Sequence, residues 1–233
     1  MKRSFLALVA ASLGSAVLSA PASAKVIELG ATPTPLAAPV CPAAVPKSQC
    51  TIILTETTAL ASSSDSVVYP TTVRSPGRIV AYTLGLAKLA KSDITTLDSF
   101  YGGAPEVEIV VLRPGKQRKY TVTAVSKPNF IQPWFGQVTQ FPLHESLVVQ
   151  KGDVVALSVP TWAPVLAINL PPKPFQYRAS RATGCASQST LSTQTAQTTT
   201  GDTKQYLCFY TGTRVEYTAT EVTTPPIPKG AVK

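Results

Sequence analysis

The chain holds a single histidine, His144, and Ser-His-Asp chemistry needs a positioned imidazole between a nucleophile and a carboxylate. His144 lies in Pro142-Leu143-His144-Glu145, and no G-x-S-x-G elbow occurs to set a serine beside it. A His next to a Glu in such a run reads as an exposed strand-edge residue, not a dyad. The other constellation is Glu106 and Glu108. Alternate residues of a strand share a face about 6.6 Å apart at Cα, and glycoside hydrolysis uses two carboxyl groups about 5–10 Å apart. Glutamates alternating with Val107 and Ile109 are, however, what any half-solvated strand carries. No catalytic residue is assigned. A carboxylate-dependent carbohydrate-active enzyme centred on Glu106 and Glu108 is the least favoured function.

Metal chemistry has less to work with. Zinc sites want paired Cys or His at short spacing, and cupin-type sites want several His. Calcium wants clustered oxygen ligands, but the five Asp and two Asn are scattered. Neither a metal nor a cofactor is expected.

Binding residues are better represented. Trp134 and Phe135 sit in a Pro-Trp-Phe-Gly turn, and Trp162 in Pro160-Thr161-Trp162-Ala163-Pro164. Phe175 and Tyr177 follow a third proline-rich turn. Large amphipathic rings in the loops of a β protein suit a binding surface. Trp134, Phe135, Trp162 and Tyr177 are therefore the candidate ligand-binding set. The competing reading is that these rings cap the core, since Trp is highly buried on average. Arg113, Lys116, Arg118 and Lys119 form the densest basic patch. It either meets a polyanion or is a solvated hairpin tip. No nucleic-acid-binding motif accompanies it.

The elements that must position these residues have a period of two. Ten runs read as strands: 51–56, 78–86, 106–113, 117–125, 137–141, 146–150, 153–159, 165–170, 205–210 and 214–221. Val107, Ile109 and Val111 take one face of the third run; Tyr120, Val122 and Ala124 share one side of the fourth. Pro114-Gly115-Lys116 and Lys151-Gly152-Asp153 are turns between runs. Pro142, Pro160 and other prolines fall between runs, where they interrupt no ladder. Only residues 83–96 could hold a helix, and Gly85 weakens it. The fold class is all-β, an antiparallel two-sheet sandwich, jelly-roll-like, of about ten strands.

The ends and the cysteines set the context. Lys2 and Arg3, the apolar stretch from Phe5 to Leu18, and Ala22-Ser23-Ala24 follow the order of a cleavable secretory signal. Residues 1–24 are thus read as a signal peptide, and no later stretch as a membrane span. Losing Lys2 and Arg3 takes the formal net charge from +9 to +7. Residues 25–49 read as an Ala/Pro-rich lead-in, 50–222 as one sandwich domain, and 223–233 as a Pro-rich tail. Residues 186–203, almost all Ser, Thr, Gln and Ala, read as a surface loop or long hairpin tip. Four cysteines in an exported chain read as two disulfides. Three connectivities exist; sequence proximity favours Cys41–Cys50 and Cys185–Cys208.

The stretch Val148-Val149-Gln150-Lys151-Gly152-Asp153-Val154-Val155-Ala156-Leu157-Ser158-Val159-Pro160-Thr161-Trp162-Ala163-Pro164 resembles a segment shared by uncharacterised secreted proteins of soil actinobacteria. Val111-Leu112-Arg113-Pro114, Phe135-Gly136 and Thr193-Gln194-Thr195-Ala196-Gln197 are similar to other shared pieces. The resemblance runs from Val73 to Thr218. It implies secretion and an all-β fold and brings no activity with it.

Together these readings point to a secreted, extracellular, non-enzymatic sandwich that binds envelope or extracellular polysaccharide. The expected partner is a polysaccharide or anionic envelope polymer, not nucleic acid. The alternative is a structural or protein-interaction module without a glycan site. The sequence leaves the oligomeric state open.

Overall fold

Apolar residues at every second position pair into ladders and bury one face. The computed structural model describes residues 23–46, 49–185 and 193–225, and Ala24–Thr224 is one compact unit. Residues 1–22 of the expected signal peptide and 226–233 of the expected tail lie outside the described residues, as do residues 47–48 of the lead-in and 186–192 of the polar run.

The strands are β1 (Val26–Leu29), β2 (Leu54–Ser64), β3 (Val67–Val68), β4 (Gly77–Gly85), β5 (Glu106–Pro114), β6 (Lys119–Val125), β7 (Asn129–Phe130), β8 (Val138–Val149), β9 (Val154–Ala163), β10 (Leu166–Ala167), β11 (Gln176–Ala179), β12 (Thr203–Gln205), β13 (Cys208–Thr211), β14 (Arg214–Val215) and β15 (Tyr217–Thr223). Among the described residues one α-helix, α1 (Lys91–Phe100), and two single-turn 3-10 helices, Lys116–Arg118 and Gln132–Trp134, interrupt them. The smaller sheet has the order β1-β15-β4-β8. The larger runs β12-β6-β5-β9-β2-β11-β13, with β3 on β2 and β7 on β5. Strands β10 and β14 form a separate pair. Every pairing is antiparallel. The chain leaves the larger sheet for β4, β8 and β15 in turn, as a two-sheet jelly roll does. The strands beyond the ten expected are mostly two or three residues long.

The core lies between the sheets. Val107, Ile109 and Val111 of β5 and Val155, Leu157 and Val159 of β9 meet Ile79, Tyr82 and Leu84 of β4 and Tyr217 and Ala219 of β15. A second apolar cluster covers the outer face of the larger sheet: Leu60, Val110, Leu112, Tyr120, Val122, Val154, Ala156 and Tyr206. Both faces of β5 and β9 are thus buried, which is why their sequences run almost continuously apolar. The register of β5 on β6 shifts between Val111 and Leu112. That bulge turns Ala124 to the inner core while Tyr120 and Val122 face outward, correcting the expectation of a shared side.

Several boundaries move for identifiable reasons. The lead-in is not outside the sandwich: Val26–Leu29 pairs with β15 and Leu29 is buried. The first long strand starts at Leu54 and continues through the Thr/Ser-rich stretch to Ser64, because its hydroxyls find partners, such as Thr58 Oγ1 to Ser158 Oγ at 3.0 Å. Residues 83–85 stay in β4, paired on both sides, and the helix forms later, at Lys91–Phe100. Pro142 and Pro160 lie inside strands. Pro142 flanks a bulge in β8, where Ile79 faces Leu147 but Ala81 faces Pro142. Strand β8 is a sheet edge, and bulges and prolines there blunt pairing with other chains. Pro160 lies where the β2–β9 register jumps between Thr55 and Thr57, so its missing N–H leaves no ladder bond unmade.

The polar run also does more than loop. Gln197 is fully buried against the outer cluster. Its side-chain amide donates to Tyr120 O and Asp202 O (3.2 and 3.0 Å), and its backbone N–H donates to Thr58 Oγ1 (2.7 Å). Its Oε1 accepts from the Tyr206 hydroxyl at 2.5 Å. A polar side chain can be buried when each group has a partner, and composition alone does not show that.

The disulfides are Cys41–Cys50 and Cys185–Cys208, with Cα separations of 5.7 and 5.1 Å. Such bridges are typical of chains that live in oxidising compartments. Among the described residues no helix is long and apolar enough to cross a membrane.

Candidate functional site

The four aromatic candidates do not form one platform. Trp162 lies in β9, fully buried, not in an exposed turn. Its indole N–H donates to Asp98 Oδ1 (3.1 Å) and to Gly103 O (3.0 Å). A buried indole needs such a partner. Tyr177 lies in β11, is also buried, and stacks on Tyr210 at 4.7 Å between ring centroids. Phe135 is half-buried and packs edge-on to Trp162. Of the four, only Trp134 is exposed, and it meets Phe141 edge-to-face at 5.1 Å. Phe141 in turn stacks on Tyr82. The proline-flanked rings thus mainly close the ends of the core.

The carboxylates separate as well. Glu108 is buried, and its Oε2 has no hydrogen-bond partner among the described residues. Burial, aided by the charge of Glu106, pushes its carboxyl up to about 7. The outer face of β5 is therefore not half-solvated at Glu108. Neither glutamate lines the cleft beside α1, the cleft at the β8 bulge or the groove beside Phe209. His144 stands exposed in the β8 bulge, 3.8 Å from Glu145. Among the described residues no group of three or more His, Cys, Asp or Glu could hold a metal ion.

The basic patch divides. Arg113 donates from Nε and Nη2 to the two oxygens of Asp153, at 3.0 and 3.2 Å. Asp153 is buried and also accepts the Gln150 N–H at 3.0 Å, closing the Lys151-Gly152 turn. Arg113 is thus a structural partner. Lys116, Arg118 and Lys119 project from the β5–β6 tip, all exposed. Gln117 and Arg118 take φ of 55° and 57° there, which tightens the turn.

The tip leads into a second cationic element that sequence reasoning missed. Tyr206 donates its backbone N–H to Arg118 O (3.0 Å), and its carbonyl accepts from Arg178 Nη1 (3.3 Å). Arg178 faces Phe209 directly across the β11–β13 ladder. Its guanidinium lies 4.5 Å from the Phe209 ring centroid, within cation–π range. Phe209 is exposed. The pair forms one wall of an open groove of about 420 Å³, with Lys173, Gln176, Ser62, Ser63 and Tyr69 around it. The legible signals were small: a four-residue alternation at 176–179 after a proline cluster, and an aromatic next to Cys208. Pairing of β11 with β13 is what places Arg178 beside Phe209. Neither a protein-family model, nor a curated protein, nor a solved structure matches the chain.

Proposed function

We propose that this is an exported, non-enzymatic β-sandwich that binds an acidic extracellular polysaccharide along the outer face of its larger sheet. The observation that carries the reading is the Arg178 guanidinium held over the exposed Phe209 ring in a groove of hydroxyls and an amide. A planar guanidinium suits a carboxylate geometrically and electrostatically. An adjacent ring offers an apolar face to a sugar, and Ser62, Ser63 and Gln176 offer polar partners. Lys116, Arg118 and Lys119 extend the positive surface past the groove through Tyr206, which favours a polymer over a monomer. The signal-like N-terminus and the two disulfides support an extracellular setting.

The test is isothermal titration of the disulfide-bonded protein with polygalacturonate and with neutral dextran across a salt series. Binding to polygalacturonate that weakens with salt but persists at physiological ionic strength, with none to dextran, supports the reading. Equal binding to both polymers, or none to either, overturns it. In the second case a protein-interaction role takes its place, because Val68, Leu207 and Phe209 expose apolar surface at that edge.

A further inference from the structure

Glu221 of β15 plays no part in the groove. It is fully buried, and neither of its carboxylate oxygens has a hydrogen-bond partner among the described residues. It shares the inner face of β15 with Tyr217 and Ala219 of the core, and lies directly across the ladder from Ile27 of β1. Burial raises its carboxyl above the usual value. A carboxylate taken out of water without a donor or a counter-charge is costly, and native folds seldom leave such a group unpaired.

A partner lies one row along the same ladder. Thr223 follows Glu221 on that face, about 6.6 Å away at Cα. The Lys25 backbone N–H donates to Thr223 Oγ1 at 2.9 Å, and the Thr223 N–H donates to Lys25 O at 2.8 Å. The Glu221 carboxylate leans toward this row. Gly77 is the β4 partner of Thr223, and a Cβ on Gly77 would lie 2.8 Å from Glu221 Oε1 and 2.5 Å from Val222 O. The Lys25 nitrogen and the Glu221 carboxylate thus both border Thr223. The peptide bond to that nitrogen, Ala24–Lys25, ends the small-residue site of the signal-like segment, and Ser23, Ala24 and Lys25 are exposed.

We propose that removal of the leader after Ala24 completes this fold: the freed Lys25 α-ammonium is the missing counter-charge of Glu221 and pins β1 to β15. A signal peptidase adds water across the bond. Ala24 leaves as a carboxylate, and the Lys25 nitrogen becomes a primary amine. Such amines have pKa values of about 7.7–8.0 and are mostly protonated at neutral pH. The nitrogen then carries three N–H donors in place of one and turns from Thr223 toward Glu221, where an ammonium and a carboxylate form a charge-assisted bond. In the uncut chain the same nitrogen is a neutral amide, and β1, an edge strand of four residues, is held by its ladder alone. The inference rests on the export reading and not on the polysaccharide groove.

The chain is expressed from Met1 in a secreting bacterial host, and the N-terminus of the product is read by mass spectrometry. It should begin at Lys25; any other N-terminus overturns the proposal, and a product that keeps the whole leader removes the export reading with it. The Lys25 product is then compared by chemical denaturation with a chain that begins at Ala24, each with and without Glu221→Gln. The Lys25 chain should have a folding equilibrium constant about tenfold larger or more, and Glu221→Gln should bring the two within about twofold. Acylation of the Lys25 α-amine, located by peptide mapping, should be about tenfold slower or more in the folded parent than in a free peptide, which decides the matter if Glu221→Gln does not fold. Equal stability of the two chains, a difference that survives Glu221→Gln, or acylation at the free-peptide rate overturns the proposal and leaves the export reading standing.

Discussion

The Trp162 indole N–H donates to the Asp98 carboxylate at 3.1 Å, joining the end of β9 to α1 across 64 residues of sequence. The same N–H is 3.0 Å from Gly103 O. Since α1 buries no side chain of its own, this contact does more to place the helix than the helix's own packing. Trp162→Phe keeps an aromatic ring and removes the donor. It should cost about 1–3 kcal/mol, and amide exchange across Lys91–Tyr101 should accelerate more than in the sheets. Unchanged exchange in α1 would show that something else holds the helix.

Arg178→Gln and Phe209→Ala should each weaken polygalacturonate binding by about tenfold or more, as loss of a charge-assisted or stacked contact of about 1.4 kcal/mol implies. Trp134→Ala should leave it within about twofold, because Trp134 packs on Phe141 away from the groove-lining residues. Titration of the three variants decides between the groove and the loop aromatics. Loss confined to Trp134→Ala would return the site to the turn after β7.

Arg113→Ala should act on stability and not on binding. It leaves the buried Asp153 without its ion pair, at a cost on the order of 2 kcal/mol. Chemical denaturation measures this directly. Lys116→Ala, by contrast, should leave the midpoint unchanged and lower the salt dependence of binding, since Lys116 is exposed at the tip.

Burial holds the Glu108 and Glu216 carboxyls up to about 7 in the folded protein, against an ordinary value of 4.5. Glu216 stays raised although Arg214 is 3.6 Å away and the Ala37 N–H donates to it. Between those values the folded chain binds more protons than the unfolded one. Stability is therefore fullest below about pH 4.5 for these two groups and falls as pH rises through about 7. Their share of the change from pH 5 to pH 8 is on the order of 1–3 kcal/mol. Glu108→Gln should flatten the fall by its own part. A melting temperature that rises steadily from pH 5 to pH 8, with no difference in Glu108→Gln, would contradict this assignment.

Much of this molecule is written locally. The short, β-branched-rich runs 106–113 and 153–159, bounded by turns, set two central strands, since a ladder buries such a run on both faces. Cys41 and Cys50, nine residues apart, meet as expected, and so do Cys185 and Cys208. Close spacing makes those encounters the least costly in chain entropy. The tight turn at Lys151-Gly152 follows from its residues alone, since Gly152 at φ 93° takes a conformation that side chains resist.

What depends on distant partners was not legible. Whether Trp162 faces water or Asp98 is decided by where α1 docks, and nothing within the Pro160–Pro164 stretch encodes that. Gln197 belongs to a run too polar to build a core, yet it is buried because Tyr206, Tyr120 and Asp202 supply its hydrogen-bond partners from other segments. Glu108 alternates with valine as a surface residue would, yet it is buried, on a sheet face where Val110, Leu112, Val154 and Ala156 join Tyr206 in a second apolar cluster. Arg178 and Phe209 lie 31 residues apart and become neighbours only through the β11–β13 register. Periodicity determines which elements form. The pairing of sheets and the covering of their faces decide which side chains meet, because those choices rest on contacts that no local window of sequence contains.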